Sequence, residues 1–364
     1  MDFDLSNEQE ILQETVDKFI GNVCPITRVR ELSERDDPYD EELWDRCVDL
    51  GLGGLLVPEE YGGAGLGLLD AALVVESLGR GAVPSPFIEH TVAVLALRLG
   101  GSREQKRKWL PGMAQGDVRG CVALGEQENA WFGDRWTTRF DSGAGGREGV
   151  RGTKAPVSFG AGSDLVVVGT AGGGLVLVEG ADPGLRFERI DGIDRTRRLD
   201  RLEIEGASGS VLSARDGIAS RVVDAWLVLL AADAFGGAVA CLARSVAYAK
   251  EREQFGVKIG SFQALKHQLA NMALEVEPAR TLYWYAAHAF DRELADASCA
   301  AAAAKSAICD RYLRIARSAV EVHGGIGYTW ECDIQLFLKR ALFDGLYLGD
   351  SRVHYRRIAE SSGW

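Results

Sequence analysis

The sequence predicts a mainly α-helical chain with an inserted β domain, divided as an N-terminal helical domain over 1–115, a middle β domain over 116–214 and a C-terminal helical bundle over 215–364. Three observations carry this division. Apolar residues recur at helical spacing through the first third of the chain. The period turns strand-like between Gly116 and Ala214, and Ala-rich helical segments follow to the end.

Residues 6–32 read as helix, because Ser6 is a good cap, Glu8 and Glu10 suit a first turn, and Ile11, Leu12, Val16, Phe19 and Ile20 fall on one face. Shorter helices are predicted at 39–50 and 67–78, separated by a stretch whose glycines break any helix. Another is predicted at 102–109, ended by Pro111. Strands are predicted at 150–153, 165–169, 175–179 and 199–205. The glycine-rich 141–147 reads as a loop or hairpin tip rather than a phosphate cradle, since no Lys-Ser/Thr follows it. Helices return at 231–250, 263–292, 296–322 and 334–361. Within the second, Leu265, Leu269, Met272, Val276, Ala279 and Tyr283 form a bundle seam that Pro278 should kink.

Composition narrows the function. With 46% hydrophobic and 26% charged residues, the chain of 364 residues is globular and long enough for a sizeable core. Lys and Arg number 41 against 53 Asp and Glu, a formal charge of -12, which disfavours nucleic acids and anionic membranes. A local basic pocket still overcomes such a field at close range, so an anionic ligand is allowed. The seven cysteines are scattered, with no C-x-x-C pair and no His at metal-ligand spacing, and read as reduced thiols with no metal site. The amino terminus is acidic and amphipathic rather than a targeting leader, and no apolar run reaches membrane-spanning length. The expected location is cytoplasmic.

Four motifs lie along this frame. Gly51-Leu-Gly-Gly-Leu-Leu-Val-Pro-Glu-Glu-Tyr-Gly-Gly-Ala-Gly65 comes first, followed by Gln105-Lys-Arg-Lys-Trp-Leu-Pro111 with Gly116. Tyr248-Ala-Lys-Glu-Arg-Glu-Gln-Phe-Gly256 is followed by Gln263, and Val322-His-Gly-Gly-Ile-Gly-Tyr328 comes last. In this order they resemble the signatures of acyl-CoA dehydrogenases. The resemblance implies a middle β barrel or sandwich, a C-terminal four-helix bundle and FAD as cofactor. It assigns Arg252, Phe255, Gln263, Gly324 and Gly325 to the adenine-dinucleotide end of an FAD held mainly by a neighbouring subunit. Their chemistry suits that part: Arg252 can pair with a pyrophosphate through two N–H bonds, and the glycines expose backbone N–H groups to an anion.

The sequence also departs from the family. Removing the α proton of a thioester requires a carboxylate. At the two positions where the family places its Glu, this chain has Leu348 and a residue at or near Trp226. Asp224 and Asp350 lie two residues away, an offset that turns a side chain roughly 160° to 200° around a helix, and Asp344 sits one turn too early. All three read first as surface or capping carboxylates, so no catalytic residue is assigned. The flavin-lining segment falls at 123–134 and keeps almost nothing of the family pattern; Glu126 and Glu128 there read either as a solvated loop or as charges that repel a CoA pyrophosphate. Of the Trp-Ile-Thr/Ser motif only the hydroxyl of Ser158 remains as a cofactor contact.

What the resemblance implies is therefore a non-catalytic subunit that completes the FAD site of a related catalytic chain, as two chains of each kind. It would act on acyl-CoA, with steroid-derived CoA esters as the substrate class. Two alternatives stand beside it: an enzyme on the same fold with different flavin chemistry, and a flavin-free acyl-CoA-binding or interaction protein.

Overall fold

The computed structural model describes residues 4–142, 148–212, 217–361 and 363. Helix α1 (Asn7–Val23) begins with a reciprocal cap, in which Gln9 N donates to Ser6 Oγ at 3.3 Å and Ser6 N donates to Gln9 Oε1 at 3.1 Å. It does not run to residue 32. Pro25 lacks an N–H and is extended, so a second helix, α2 (Ile26–Glu34), starts after it. Helices α3 (Glu41–Asp49) and α4 (Leu68–Gly81) flank the glycine-rich stretch.

Helix α5 (Phe87–Gly100) had no expectation in the sequence, because it is apolar and buried on nearly every side and so has no amphipathic period. Helix α6 (Arg103–Gln115) runs through Pro111 instead of stopping there, and ends at Gly116 in the left-handed region, φ 83°. One lost hydrogen bond inside a helix is tolerated when capping and packing hold the rest.

Two four-stranded sheets form a sandwich. The strands are β1 (Gly120–Ala123), β2 (Arg139–Ser142), β3 (Glu148–Ser158), β4 (Leu165–Thr170), β5 (Gly174–Glu179), β6 (Leu185–Ile190), β7 (Leu199–Ala207) and β8 (Gly209–Val211). One sheet has the order β1-β4-β5-β8, with β1 parallel to β4; the other is β2-β3-β7-β6 and antiparallel. Val150, Val166, Val168, Val176, Val178, Leu202 and Ile204 fill the space between them. Of the hairpin tip expected at 141–147, Asp141 and Ser142 pair with Gly149 and Glu148, and 143–147 lie outside the described residues.

Helix α7 (Ile218–Glu251) is the spine of the bundle. By length and composition it could cross a membrane, contrary to the sequence reading, but 89% of its most apolar window is buried, as in a core helix. It crosses α4 with almost no gap: a Cβ on Gly236 would lie 2.0 Å from the Glu76 carbonyl, and one on Gly79 would lie 2.2 Å from that of Asp233. Helices α8 (Gln263–Val276) and α9 (Arg280–Asp291) are separated by a tight turn at Pro278. Met272, Val276, Ala279 and Tyr283 of the predicted seam are buried, while Leu265 and Leu269 are half-buried. Helix α10 (Ala297–His323) packs on α7. The segment 334–361 is two helices, α11 (Ile334–Leu346) and α12 (Ser351–Ser361), with Leu348 and Gly349 at positive φ between them.

Candidate functional site

At the end of α7 the chain makes a small hairpin, β9 (Glu253–Gln254) with β10 (Val257–Lys258). Its two-residue tip is Phe255 and Gly256, both at positive φ, 55° and 78°. That conformation suits glycine and strains phenylalanine, so Phe255 is held by its turn, and its ring is 92% exposed. Phe262, at the start of α8, meets it edge-on with centroids 6.2 Å apart. Arg252 joins helix to hairpin through its backbone, donating to Tyr248 O and accepting from Ile259 N, each at 2.8 Å. Its guanidinium is exposed and makes no ion pair among the described residues.

The glycine turn after α10 stands on the same corner. The ring of His323 stacks on Tyr248, centroids 4.5 Å apart, and Gln268 of α8 donates to Glu321 at 3.0 Å. These links tie the end of α7 and the helix α8 to the end of α10, and Arg252, Phe255, Gln263, Gly324 and Gly325 lie on the segments that leave or enter those helices. Cβ atoms built on Gly324 and Gly325 would meet nothing within 4 Å, so that backbone is open to a ligand. Beyond the turn, Tyr328 is 76% exposed and Trp330 58%, with Lys339 Nζ 3.6 Å from the Trp330 ring centroid. Ser158 is not brought to this corner; it is fully buried at the end of β3.

The interior around Ser158 is filled by aromatic rings. Trp131 and Trp226 pack against Tyr347 with centroids 5.0 and 5.5 Å apart, and Phe343 stacks on it at 4.9 Å. Burial, reinforced by Glu89, raises the pKa of the Tyr347 hydroxyl, and a hydrogen bond with the Ser158 backbone opposes that rise. Leu348 is fully buried, with φ 59°, outside any helix. The helical-phase argument that related Asp344 and Asp350 to Leu348 therefore fails, because α11 ends at Leu346.

The carboxylates divide differently from the sequence expectation. Asp350 caps α12, accepting from Arg352 N and Val353 N at 3.1 Å each. Asp224 is buried rather than superficial, paired with Arg357 at 2.9 Å and Ser298 at 3.1 Å; burial pushes its pKa up and Arg357 pulls it back. Asp344 is also buried, with both oxygens unpartnered.

Glu126 faces inward instead of toward a ligand. It accepts from Thr137 N and Oγ1, from Thr138 N and Oγ1, and from Lys154 Nζ at 2.7 Å. Burial would raise its pKa, but Lys154 and Thr137 outweigh that and hold it at about 2. Glu128, in contrast, is exposed. A buried carboxylate the sequence did not reveal is Glu89 of α5, whose pKa burial raises while Arg197 and Ser158 lower it. Among the described residues no cluster of three or more His, Cys, Asp or Glu could hold a metal ion.

Comparison with known proteins agrees with this architecture. The acyl-CoA dehydrogenase N-terminal domain model matches residues 6–117 and the C-terminal domain model matches 227–363. Acyl-CoA dehydrogenase IpdE2 of Mycobacterium tuberculosis is 34% identical, covering 98% of both chains. Among solved structures, the Tcur3481-Tcur3483 steroid ACAD G363A variant superposes with a TM-score of 0.90 at 30% identity, covering 98% of both chains. The ChsE4-ChsE5 complex from Mycobacterium tuberculosis does so at 0.88 and 27%, covering 100% of this chain and 99% of that one. Matching models at both ends and full-length relatives on the same fold leave one conclusion: the chain belongs to the acyl-CoA dehydrogenase family.

Proposed function

We propose that this chain is the non-catalytic partner in a heteromeric, FAD-dependent acyl-CoA dehydrogenase. It assembles with a related catalytic chain, two of each kind, for α,β-dehydrogenation of CoA thioesters, with steroid-derived esters as the substrate class. The observation that carries this reading is the contrast between two half-sites. The corner bearing Arg252, Phe255, Gln263, Gly324 and Gly325 lies open, whereas Leu348 stands where a base is needed and Trp131, Trp226 and Tyr347 occupy the space around Ser158.

An isoalloxazine ring needs a preformed slot with hydrogen-bond partners on its rim. The packed rings leave the chain's own interior unsuited to one, while the open corner fits the dinucleotide end. Bound FAD supplies the hydride acceptor. On this chain Arg252 would pair with the pyrophosphate, Phe255 would cover an apolar ring edge, Gln263 would bond a polar edge, and the glycine turn would offer backbone N–H groups. The two solved structures named above support the pairing, since each joins two differently named chains and one is a steroid ACAD.

The test is to purify the chain alone and co-expressed with a related acyl-CoA dehydrogenase chain, then record absorption spectra, subunit ratio and turnover of CoA esters. A colourless, inactive lone chain and a yellow, active mixed complex are expected; a flavin-loaded, active homo-oligomer sinks the reading. The buried carboxyls of Glu89 and Asp344 favour a second reading, an enzyme of different flavin chemistry using its own acid. Flavin retained by the lone chain without dehydrogenase activity would select it. Stabilisation by CoA esters with no flavin in any complex would select a flavin-free binding protein.

A further inference from the structure

Two guanidiniums and four carboxyls meet where the N-terminal helices, the sandwich and the bundle join. Arg340 of α11 reaches all three: Nε lies 3.2 Å from Asp194 and Nη1 3.5 Å from Asp233, while Nη2 donates to the Ala82 and Val83 carbonyls at 3.2 Å each. Arg197, in the β6–β7 connection, lies 3.0 Å from Asp233 Oδ2. Asp194 also accepts from Thr196 N at 2.9 Å and Oγ1 at 2.6 Å. The two positive charges are thereby matched by Asp194 and Asp233. Among the described residues Glu89 and Asp344 make no ion pair of their own and feel these cations only at longer range.

Other groups facing this junction do not supply one. Lys305 of α10 is turned to the Gly349 carbonyl at 3.4 Å. Tyr312 and Cys309 of α10 are buried, and burial raises the pKa of both. Ser158 of β3 offers a neutral hydroxyl, and Glu76 of α4 is engaged by Arg80 and Tyr283. An ionised carboxylate with neither counter-ion nor hydrogen bond in such a place costs several kcal/mol, and protonation relieves it. Burial, reinforced by Asp233 and opposed by Arg197 and Arg340, pushes the Asp344 acid well above the usual carboxylate range.

We propose that Asp344 is held as a neutral carboxylic acid and acts as a proton-loaded latch between α11, α7 and the β6–β7 connection. With the proton on, the junction closes; without it, an unmatched charge beside Asp233 loosens α11 from the sandwich. The sign follows. The folded form keeps a proton that the unfolded chain releases above the ordinary Asp pKa, so stability falls as pH rises from there to the folded value. The folding equilibrium changes about tenfold per pH unit for each such proton.

The test uses the full chain. Its infrared spectrum near pH 7 should contain a protonated-carboxyl C=O band that Asp344→Asn diminishes, and Glu89→Gln should leave the Asp344 share. Urea unfolding from about pH 6 to about pH 9 should show Asp344→Asn gaining on the native chain by up to about tenfold per pH unit. Parallel pH profiles, or no change in the band, overturn the proposal. If the variant fails to fold, titrating the band in Glu89→Gln decides: persistence to alkaline pH supports the latch, and absence near neutrality overturns it.

Discussion

His323 lies flat against Tyr248, rings 4.5 Å apart and 24° from parallel, and its Nδ1 is 2.7 Å from the Ala319 carbonyl. This stack ties the end of α7 to the glycine turn. Tyr248→Leu should let Arg252 and Gly324 drift apart without unfolding the bundle. An aromatic pair contributes about 0.5–1.5 kcal/mol beyond its buried area. The expected outcome in the mixed complex is flavin retention weakened by roughly two- to tenfold, read by fluorescence of released flavin.

On the proposed reading Arg252 has a sharper role, since its exposed guanidinium is the charge that would meet the pyrophosphate. Arg252→Gln should weaken flavin retention by roughly ten- to 100-fold, the size of a lost charged hydrogen bond. Arg252→Lys should recover only part, because an ammonium lacks the planar fork. The unfolding midpoint of the lone chain should stay unchanged in both variants.

Restoring a carboxylate at the family position should not restore a reaction. In Leu348→Glu the acid enters a site closed by Trp131, Trp226 and Tyr347, and it also loses a fully buried leucine. Loss of about 3 kcal/mol or more of stability is expected, with no turnover of any CoA ester by the lone variant. Measurable turnover would show that the rings yield to a substrate.

The Glu126–Lys154 pair sets an acid limit. With Glu126 held at about 2, the stability it contributes is fully present above the unfolded value of 4.5 and is lost as pH falls toward about 2. Lys154→Met leaves the carboxylate without its cation and should cost about 3–5 kcal/mol near neutral pH. Denaturant unfolding of both proteins at neutral and acid pH checks this, and the difference should shrink on acidification.

Gly236→Ala should be among the most damaging substitutions in the bundle. Its Cβ would meet the Glu76 carbonyl at 2.0 Å, so α4 and α7 must separate. Overpacking of this kind costs about 1–3 kcal/mol, read as a lowered unfolding midpoint.

The open corner was legible because its marks are local: a Phe-Gly hairpin tip, a Gly-Gly turn and an Arg at a helix end lie within short stretches of sequence. The closed interior was not. Trp131, Trp226 and Tyr347 come from three distant segments, and their mutual packing has no one-dimensional signature. Glu89 was hidden for another reason: α5 is apolar on all sides, so neither the helix nor its buried acid stands out from a core run. Leu348 was noticed as an apolar residue at the position where the family resemblance expects an acid. Its surroundings were misjudged, since helical phase was extended past Leu346, where Leu348 and Gly349 take positive φ and the chain turns.

Phe255, Tyr328 and Trp330 stand in water on a chain whose other large rings are mostly sheltered. Made in excess of its counterpart, such a polypeptide would carry an uncovered greasy edge through the cell and invite self-association. Under the proposed pairing, balanced synthesis of the two chains would follow from the surface itself, independent of any catalytic need.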